Sequence, residues 1–75
     1  KSQNNLIRIS PNPAENYFQV LQIKENEAIC VYSITGKLLK RFLSNSNDEK
    51  FDISDLKKGI YIIKAQNYTF KIIKL

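Results

Sequence analysis

Short apolar runs alternate with polar turn residues along the whole of this sequence. The runs are rich in Ile, Val, Phe and Tyr, which favour strands, and no segment has the period of an amphipathic helix. We predict strands at residues 6–10, 17–23, 27–33, 37–43, 49–53, 59–65 and 68–75. Strands this closely spaced leave no room for helical crossovers, so the sequence predicts an all-β fold with largely antiparallel sheets.

Proline and glycine mark the turns between these predicted strands. Pro11 and Pro13 flank Asn12 and lack the N–H that a ladder requires, so this segment must turn away from the first strand. Gly36 follows Thr35 and supplies the positive φ of a hairpin turn. The turns therefore divide the chain as a β-sandwich or barrel requires.

A more specific signal stands at the start of the sixth predicted strand. Leu56, Gly59 and Tyr61 have the spacing of a tyrosine corner, in which a tyrosine hydroxyl bonds upstream backbone. Ile63 stands where antibody domains carry a cysteine, so core packing must replace the disulfide. The sequence therefore favours an immunoglobulin-like antiparallel β-sandwich of about seven strands.

The chain has 75 residues, which is enough for one domain but not for two cores. Because residues 1–5 are polar and without period, we interpret them as a linker and residues 6–75 as the domain. The linker consists of Lys1, Ser2, Gln3, Asn4 and Asn5. The sequence lacks methionine, so we expect a piece of a longer protein, joined through this linker to an upstream passenger.

The basic residues are concentrated toward the C-terminal end. Twelve Lys and Arg against seven Asp and Glu give a net charge of +5. All the acids lie between Glu15 and Asp55. Five lysines follow without an opposing acid: Lys57, Lys58, Lys64, Lys71 and Lys74. This distribution indicates a local interaction face or tail.

The composition leaves few groups for catalysis or metal binding. The chain has no histidine and one cysteine, Cys30, which we interpret as a half-buried structural thiol. Asp48, Glu49, Asp52 and Asp55 lack the spacing of a calcium loop and are interpreted as solvated carboxylates. We therefore predict no enzyme activity, no metal site and no cofactor.

Neither nucleic-acid binding nor a transmembrane segment is expected. Lysines alternate with Tyr61, Tyr68 and Phe70, but aromatic residues that alternate along strands more often face a core. No apolar stretch approaches the roughly 20 residues of a transmembrane helix.

The last predicted strand has two apolar faces. A period of two places Tyr68, Phe70 and Ile72 on one face, and Lys71, Ile73 and Leu75 on the other. It also separates Lys71 from Lys74. An edge strand of this kind is either covered by another part of the fold or offered to a partner through strand addition.

Four segments together resemble a known family. They are residues 9–14 (ISPNPA), 31–39 (VYSITGKLL), 51–64 (FDISDLKKGIYIIK) and 70–75 (FKIIKL). Their order and spacing resemble the type A C-terminal sorting domains of cargo proteins of the type IX (Por) secretion system of Bacteroidota. The resemblance covers nearly the whole chain and implies a seven-stranded immunoglobulin-like fold.

The resemblance implies a secretion signal that directs an upstream passenger across the outer membrane. The translocon would recognise the domain in the periplasm, in transit to the cell surface or the extracellular space. Sortase-like attachment machinery would then cleave within or near residues 1–5 and join the passenger to the surface, or the passenger would be released. The alternative is a non-catalytic immunoglobulin-like adhesive or ligand-binding module of a secreted protein.

The resemblance implies that Gly36 and Gly59 are turn residues and that Tyr61 is the tyrosine of the corner. It also implies that Lys71 and Lys74 are the family's terminal lysines. The polar, glycine-free loop at residues 44–48 departs mildly from the family, as does the final leucine. We hypothesise that the last strand adds to a translocon sheet and that lysines steer it. The candidate recognition residues are Gly36, Gly59, Tyr61, Lys64, Lys71, Lys74 and Leu75.

Overall fold

The computed structural model describes residues 7–23, 26–45 and 49–75, and this part of the chain forms strands and turns without a helix. The strands are β1 Arg8–Ser10, β2 Tyr17–Leu21, β3 Ala28–Ser33, β4 Leu38–Leu43, β5 Lys50–Asp52, β6 Gly59–Ala65 and β7 Tyr68–Lys74. All the predicted strands are confirmed, some of them a residue or two shorter at an end.

The strands form two sheets with antiparallel pairing. The three-stranded sheet has the order β1-β2-β5, and the four-stranded sheet has the order β4-β3-β6-β7. Because β2 pairs with β5 and β3 pairs with β6, the chain crosses repeatedly from one sheet to the other. The predicted all-β sandwich is confirmed, and its strand order is compatible with the immunoglobulin-like arrangement.

Alternate residues of the strands fill the space between the sheets. Phe18 and Phe51 are buried, with their ring centroids 5.4 Å apart, and Phe42 lies 5.1 Å from Phe51. Ile63, at the position of the antibody cysteine, is fully buried. Each large apolar side chain buried in this way contributes about 1.5–3 kcal/mol. Apolar packing therefore holds the two sheets together. Cys30 is a free, half-buried thiol, as the sequence predicted.

Candidate recognition surface

The first candidate residue, Gly36, lies in the turn that joins β3 to β4. Its φ is +97°, and its N–H donates to the Ser33 carbonyl at 2.9 Å. The Ser33 hydroxyl accepts a second bond, from the N–H of Lys37, at 3.1 Å. A Cβ at Gly36 would meet nothing within 4 Å, so glycine is required here by conformation and not by space. The predicted turn is confirmed.

Gly59 and Tyr61 form the predicted tyrosine corner at the start of β6. The Tyr61 hydroxyl donates to the Lys57 carbonyl at 2.5 Å, across the connection that leads into the strand. Gly59 has a φ of +153°, which side chains rarely adopt, although a Cβ at this position would meet nothing within 4 Å. These two residues therefore fix how β6 enters the four-stranded sheet.

Residues 11–14, which we call the strap, run along the outer edge of β7. The N–H of Ala14 donates to the Ile73 carbonyl at 2.7 Å, and the N–H of Leu75 donates to the Ala14 carbonyl at 2.8 Å. Ala14 pairs in parallel with β7 at this point, and its side chain is fully buried. The chain thus leaves β1 in one sheet and joins the edge of the other.

The side chain of Asn12 extends this pairing. Its amide nitrogen donates to the Lys71 carbonyl at 3.1 Å, and its amide oxygen accepts from the Ile73 N–H at 3.0 Å. One side-chain amide therefore satisfies both a donor and an acceptor of the β7 edge, as the main chain of a neighbouring strand would. The strap with Asn12 covers this edge over residues 71–75.

The hypothesis that β7 offers this edge for strand addition is therefore wrong over residues 71–75. The main-chain groups that an added strand would bond there already have partners within the chain. Of the two alternatives for the last strand, covering by another part of the fold is the one that the structure confirms. Sequence reasoning missed Asn12 as the covering residue, although the prolines on either side of it indicate a break after the first strand.

The lysines of β7 point to opposite sides of the sheet, as the predicted period of two requires. Lys74 is only 7% exposed, and its ammonium donates to the main-chain carbonyl oxygen of Leu75 at 2.9 Å. Lys71 is exposed on the other side. Leu75 is exposed as well, with 60% of its surface accessible. Lys74 therefore does not present its charge on the surface.

Lys71 shares the outward side of the four-stranded sheet with Lys64. We call the outward side chains of this sheet the basic face: Ala28, Cys30, Tyr32, Leu38, Arg41, Leu43, Ile60, Ile62, Lys64, Thr69, Lys71 and Ile73. None of these strand residues is an acid. The structure thus brings two of the candidate lysines together and leaves the other candidate residues at the turn, the corner and the end of β7.

Arg41 and Tyr32 belong to the basic face and were missed by sequence reasoning. Arg41 and Lys64 lie opposite Cys30 on its two sides. The Lys64 ammonium stands 5.4 Å from the centre of the Tyr32 ring, within the range of a cation–π contact. A side-chain hydrogen bond with Cys30 raises the pKa of Tyr32. Alternation along the strands assigns these residues to one face, but only the pairing shows which of them touch.

The acids considered for metal binding or catalysis make contacts within the fold. Asp52 accepts from the Ser54 N–H at 2.9 Å, and this hydrogen bond lowers the pKa of Asp52. Asp55 pairs with Lys40 at 3.0 Å, with its side chain mostly exposed. Asp48 lies outside the described residues. In the described ranges, no three His, Cys, Asp or Glu side chains gather where they could hold a metal ion.

Two of the aromatic residues considered for stacking on bases are engaged in the fold. Tyr61 and Phe70 pack against the core, while Tyr68 stacks on Phe70 with ring centroids 6.2 Å apart. The predicted linker and processing region, residues 1–5, lies outside the described residues. Within the described ranges, no helix has the length and apolar character needed to cross a membrane.

One comparison with known proteins gives a match. A family model described as a secretion system C-terminal sorting domain matches residues 8–75, from the start of β1 to the last residue. No curated protein and no solved structure matches the chain. The match therefore covers every described strand and the strap.

Proposed function

This chain belongs to the secretion system C-terminal sorting domains, the signals of type IX secretion. We propose that it acts as a folded signal that its receptor recognises through the basic face. As such a signal it directs an upstream passenger toward the cell surface or the extracellular space. The proposal adds that a translocon component binds the folded domain in the periplasm. The observation that carries it is the joint placement of Lys64 and Lys71 on a face whose strand residues include no acid.

The candidate residues then divide into two roles. Lys64 and Lys71 would attract the translocon component, because like charges on one face steer association with an acidic partner. Gly36, Gly59 and Tyr61 would act through the shape of the domain, since each fixes a turn or a strand entry.

The end of the chain supports recognition through the fold. Lys74 is hydrogen-bonded to the carbonyl of Leu75, and Leu75 is tied to the strap. Deleting residues 71–75 would remove four of the seven residues of β7 and the partners of the strap. Such a deletion would test folding and recognition together, so substitutions on the surface separate the two roles better.

The later steps of export remain part of the proposal. We place processing within or near residues 1–5, where sortase-like attachment machinery would release the passenger and join it to the cell surface. Cargos that are not attached would be released to the medium. These steps rest on family membership and on the polar character of the linker.

A reporter fusion tests the proposed function. A periplasmic leader, a fluorescent reporter and residues 1–75 are joined in that order and produced in a host with a type IX system. We expect the reporter at the surface or in the medium, and in the periplasm when the domain is omitted or the translocon is deleted. Retention of the complete fusion in the periplasm of the competent host would instead favour an adhesive or ligand-binding module.

A further inference from the structure

An apolar stripe runs across the basic face beside its cations. Tyr32 lies directly opposite Leu38 on one side and Ile62 on the other, and Ile62 lies opposite Lys71. Directly opposed side chains in an antiparallel pair have Cβ atoms about 4.5–5.5 Å apart, so these residues form a continuous row. The row crosses all four strands of the sheet.

A second apolar pair extends the stripe toward the strap. Ile60 lies opposite Ile73, and these side chains are 41% and 42% exposed. Leu38, at the other end of the row, is 50% exposed. Single exposed apolar residues are ordinary on a protein surface, whereas a continuous row rimmed by polar groups marks an interaction site.

Cations border the stripe along one side and at its β7 end. Arg41 and Lys64 form the adjacent row with Cys30 between them, and Lys71 closes the first row at β7. Tyrosine and arginine are enriched at protein interfaces, where aromatic side chains anchor the centre and charged groups occupy the rim. The composition of this face is therefore that of a binding surface.

We propose that the stripe and its cations form one docking site for a protein surface with an apolar centre and carboxylates around it. The proposal rests on the proposed function, because that partner is the translocon component that reads the domain. Apolar contact with Ile60, Ile73 and Tyr32 supplies the buried centre of the interface. Lys64, Lys71 and Arg41 pair with the partner's carboxylates and determine its orientation.

Charge complementarity selects this occupant over a second copy of the chain. The strand residues of the basic face include cations and no acid, so two copies placed face to face would oppose like charges across the contact. Like-charge juxtaposition at an interface costs several kcal/mol and suppresses wrong partners. A partner with acidic groups around an apolar centre meets both features of the face.

Two double variants with one matched control test the site in the reporter fusion. The first, Lys64→Glu with Lys71→Glu, reverses two charges, and the second, Ile60→Ser with Ile73→Ser, removes apolar surface without changing charge. The control, Arg8→Glu with Lys50→Glu, makes the same charge change on the outward side of the three-stranded sheet. Both control positions are exposed.

We expect each basic-face variant to lower the exported fraction of reporter about tenfold or more, within the range by which electrostatic steering and interface contacts change association. The control should be exported as the unchanged fusion is. All variants should keep the melting temperature of the unchanged 75-residue chain within a few degrees. Export of both basic-face variants at the unchanged level, with folding intact, would overturn the docking site. An equal loss in the control would also overturn it, because net charge would then be the cause.

Two measurements on the purified chain address other occupants. Sedimentation should give a monomer, whereas a dimer abolished by the Ile60 and Ile73 substitutions would assign the stripe to a second copy. Vesicles of phosphatidylcholine with phosphatidylglycerol should not bind the chain, whereas binding lost on charge reversal would assign the face to an anionic lipid surface. Either result would overturn the protein-docking proposal. Failure of the unchanged fusion to be exported would instead count against the proposed function itself.

Discussion

On the outward side of the three-stranded sheet, Lys50 lies 4.8 Å from the centre of the Tyr17 ring and Asp52 stands opposite Tyr17 on the next strand. We call this surface the mixed face, and it consists of Arg8, Ser10, Tyr17, Gln19, Leu21, Lys50 and Asp52. On the outward side of the four-stranded sheet, the basic face carries an apolar stripe bordered by cations and no acid among its strand residues. Both surfaces rest on one core.

The two faces differ in outward residues that folding does not require, so the difference between them points to recognition. Either face would keep its strands in place with polar outward residues, because the buried side chains between the sheets supply most of the stability. The mixed face is closer to that pattern, because it carries both basic and acidic residues and Lys50 lies over the Tyr17 ring. The basic face departs from it by exposing isoleucines and by carrying cations with no acid among its strand residues, which is typical of a surface that meets a partner.

The largest expected effect comes from breaking the core beneath both faces. Phe18→Ala should lower the free energy of unfolding by about 3–5 kcal/mol, because it removes a fully buried ring and leaves a cavity. Denaturant unfolding measures this loss. Tyr17→Ala, on the adjacent outward position, is the matched control and should cost clearly less. Equal losses would show that the mixed face contributes as much as the core.

Gly59→Val should destabilise the sheet that carries the basic face, because it strains the backbone at the start of β6. A β-branched residue at a φ of +153° should cost about 1–3 kcal/mol in unfolding free energy, although a Cβ there meets no atom within 4 Å. Thermal unfolding measures this loss. Lys58→Val, one residue earlier, adds the same side chain and should leave the midpoint nearly unchanged. A similar shift in both variants would remove the conformational explanation.

Asn12→Ala should loosen the edge of the basic face alone. The substitution removes two hydrogen bonds to β7 and should cost about 1–2 kcal/mol, with faster exchange of the Ile73 amide proton. Hydrogen exchange followed by NMR reports both quantities. Asn67→Ala, in the exposed turn between β6 and β7, serves as the control. Unchanged exchange at Ile73 would contradict the role given to the strap.

Tyr61→Phe sharpens the comparison by testing the corner that positions β6. Loss of the hydroxyl bond to the Lys57 carbonyl should cost about 0.5–1.5 kcal/mol while the ring keeps its packing. Tyr68→Phe removes an exposed hydroxyl and should have little effect on urea unfolding. The corner would be dispensable if both substitutions gave the same midpoint.

The smallest expected effect is a pH dependence that belongs to the mixed face. The hydrogen bond from Ser54 lowers the pKa of Asp52 below its ordinary value of 3.8, so the charged form stabilises the fold. This stabilisation is present above about pH 4 and is lost as the pH falls through the lowered pKa of the folded chain. Asp52→Asn should reduce the pH dependence of the thermal unfolding midpoint in that acid range only. An unchanged acid profile would show that this carboxylate does not contribute.

The sequence predicted the elements whose cause is local. Alternation of apolar residues located every strand, and the spacing of Gly59 and Tyr61 predicted a corner that the structure confirms. The same period of two predicted that Lys71 and Lys74 point to opposite sides. Each of these follows from backbone geometry within a few residues, so no knowledge of distant strands is required.

Features that depend on distant pairing were not predicted. Asn12 and its partners on β7 lie 59 and 61 residues apart in the sequence, and nothing near Asn12 specifies that its amide meets that edge. The basic face likewise needs the register of β4, β3, β6 and β7 before Arg41 and Lys64 become neighbours of Cys30. The lysines could be counted from the sequence, but their shared surface could not.

The strap has a mechanical consequence for a domain joined to a passenger. Ala14 runs parallel to β7, so tension between the upstream chain and the last strand pulls the two segments along each other. The hydrogen bonds between Ala14, Ile73 and Leu75 then carry the load jointly and do not open one after another. Pulling a fusion between its passenger and its final residue should therefore require a larger force than separating β3 from β4 by pulling on the open end of their hairpin.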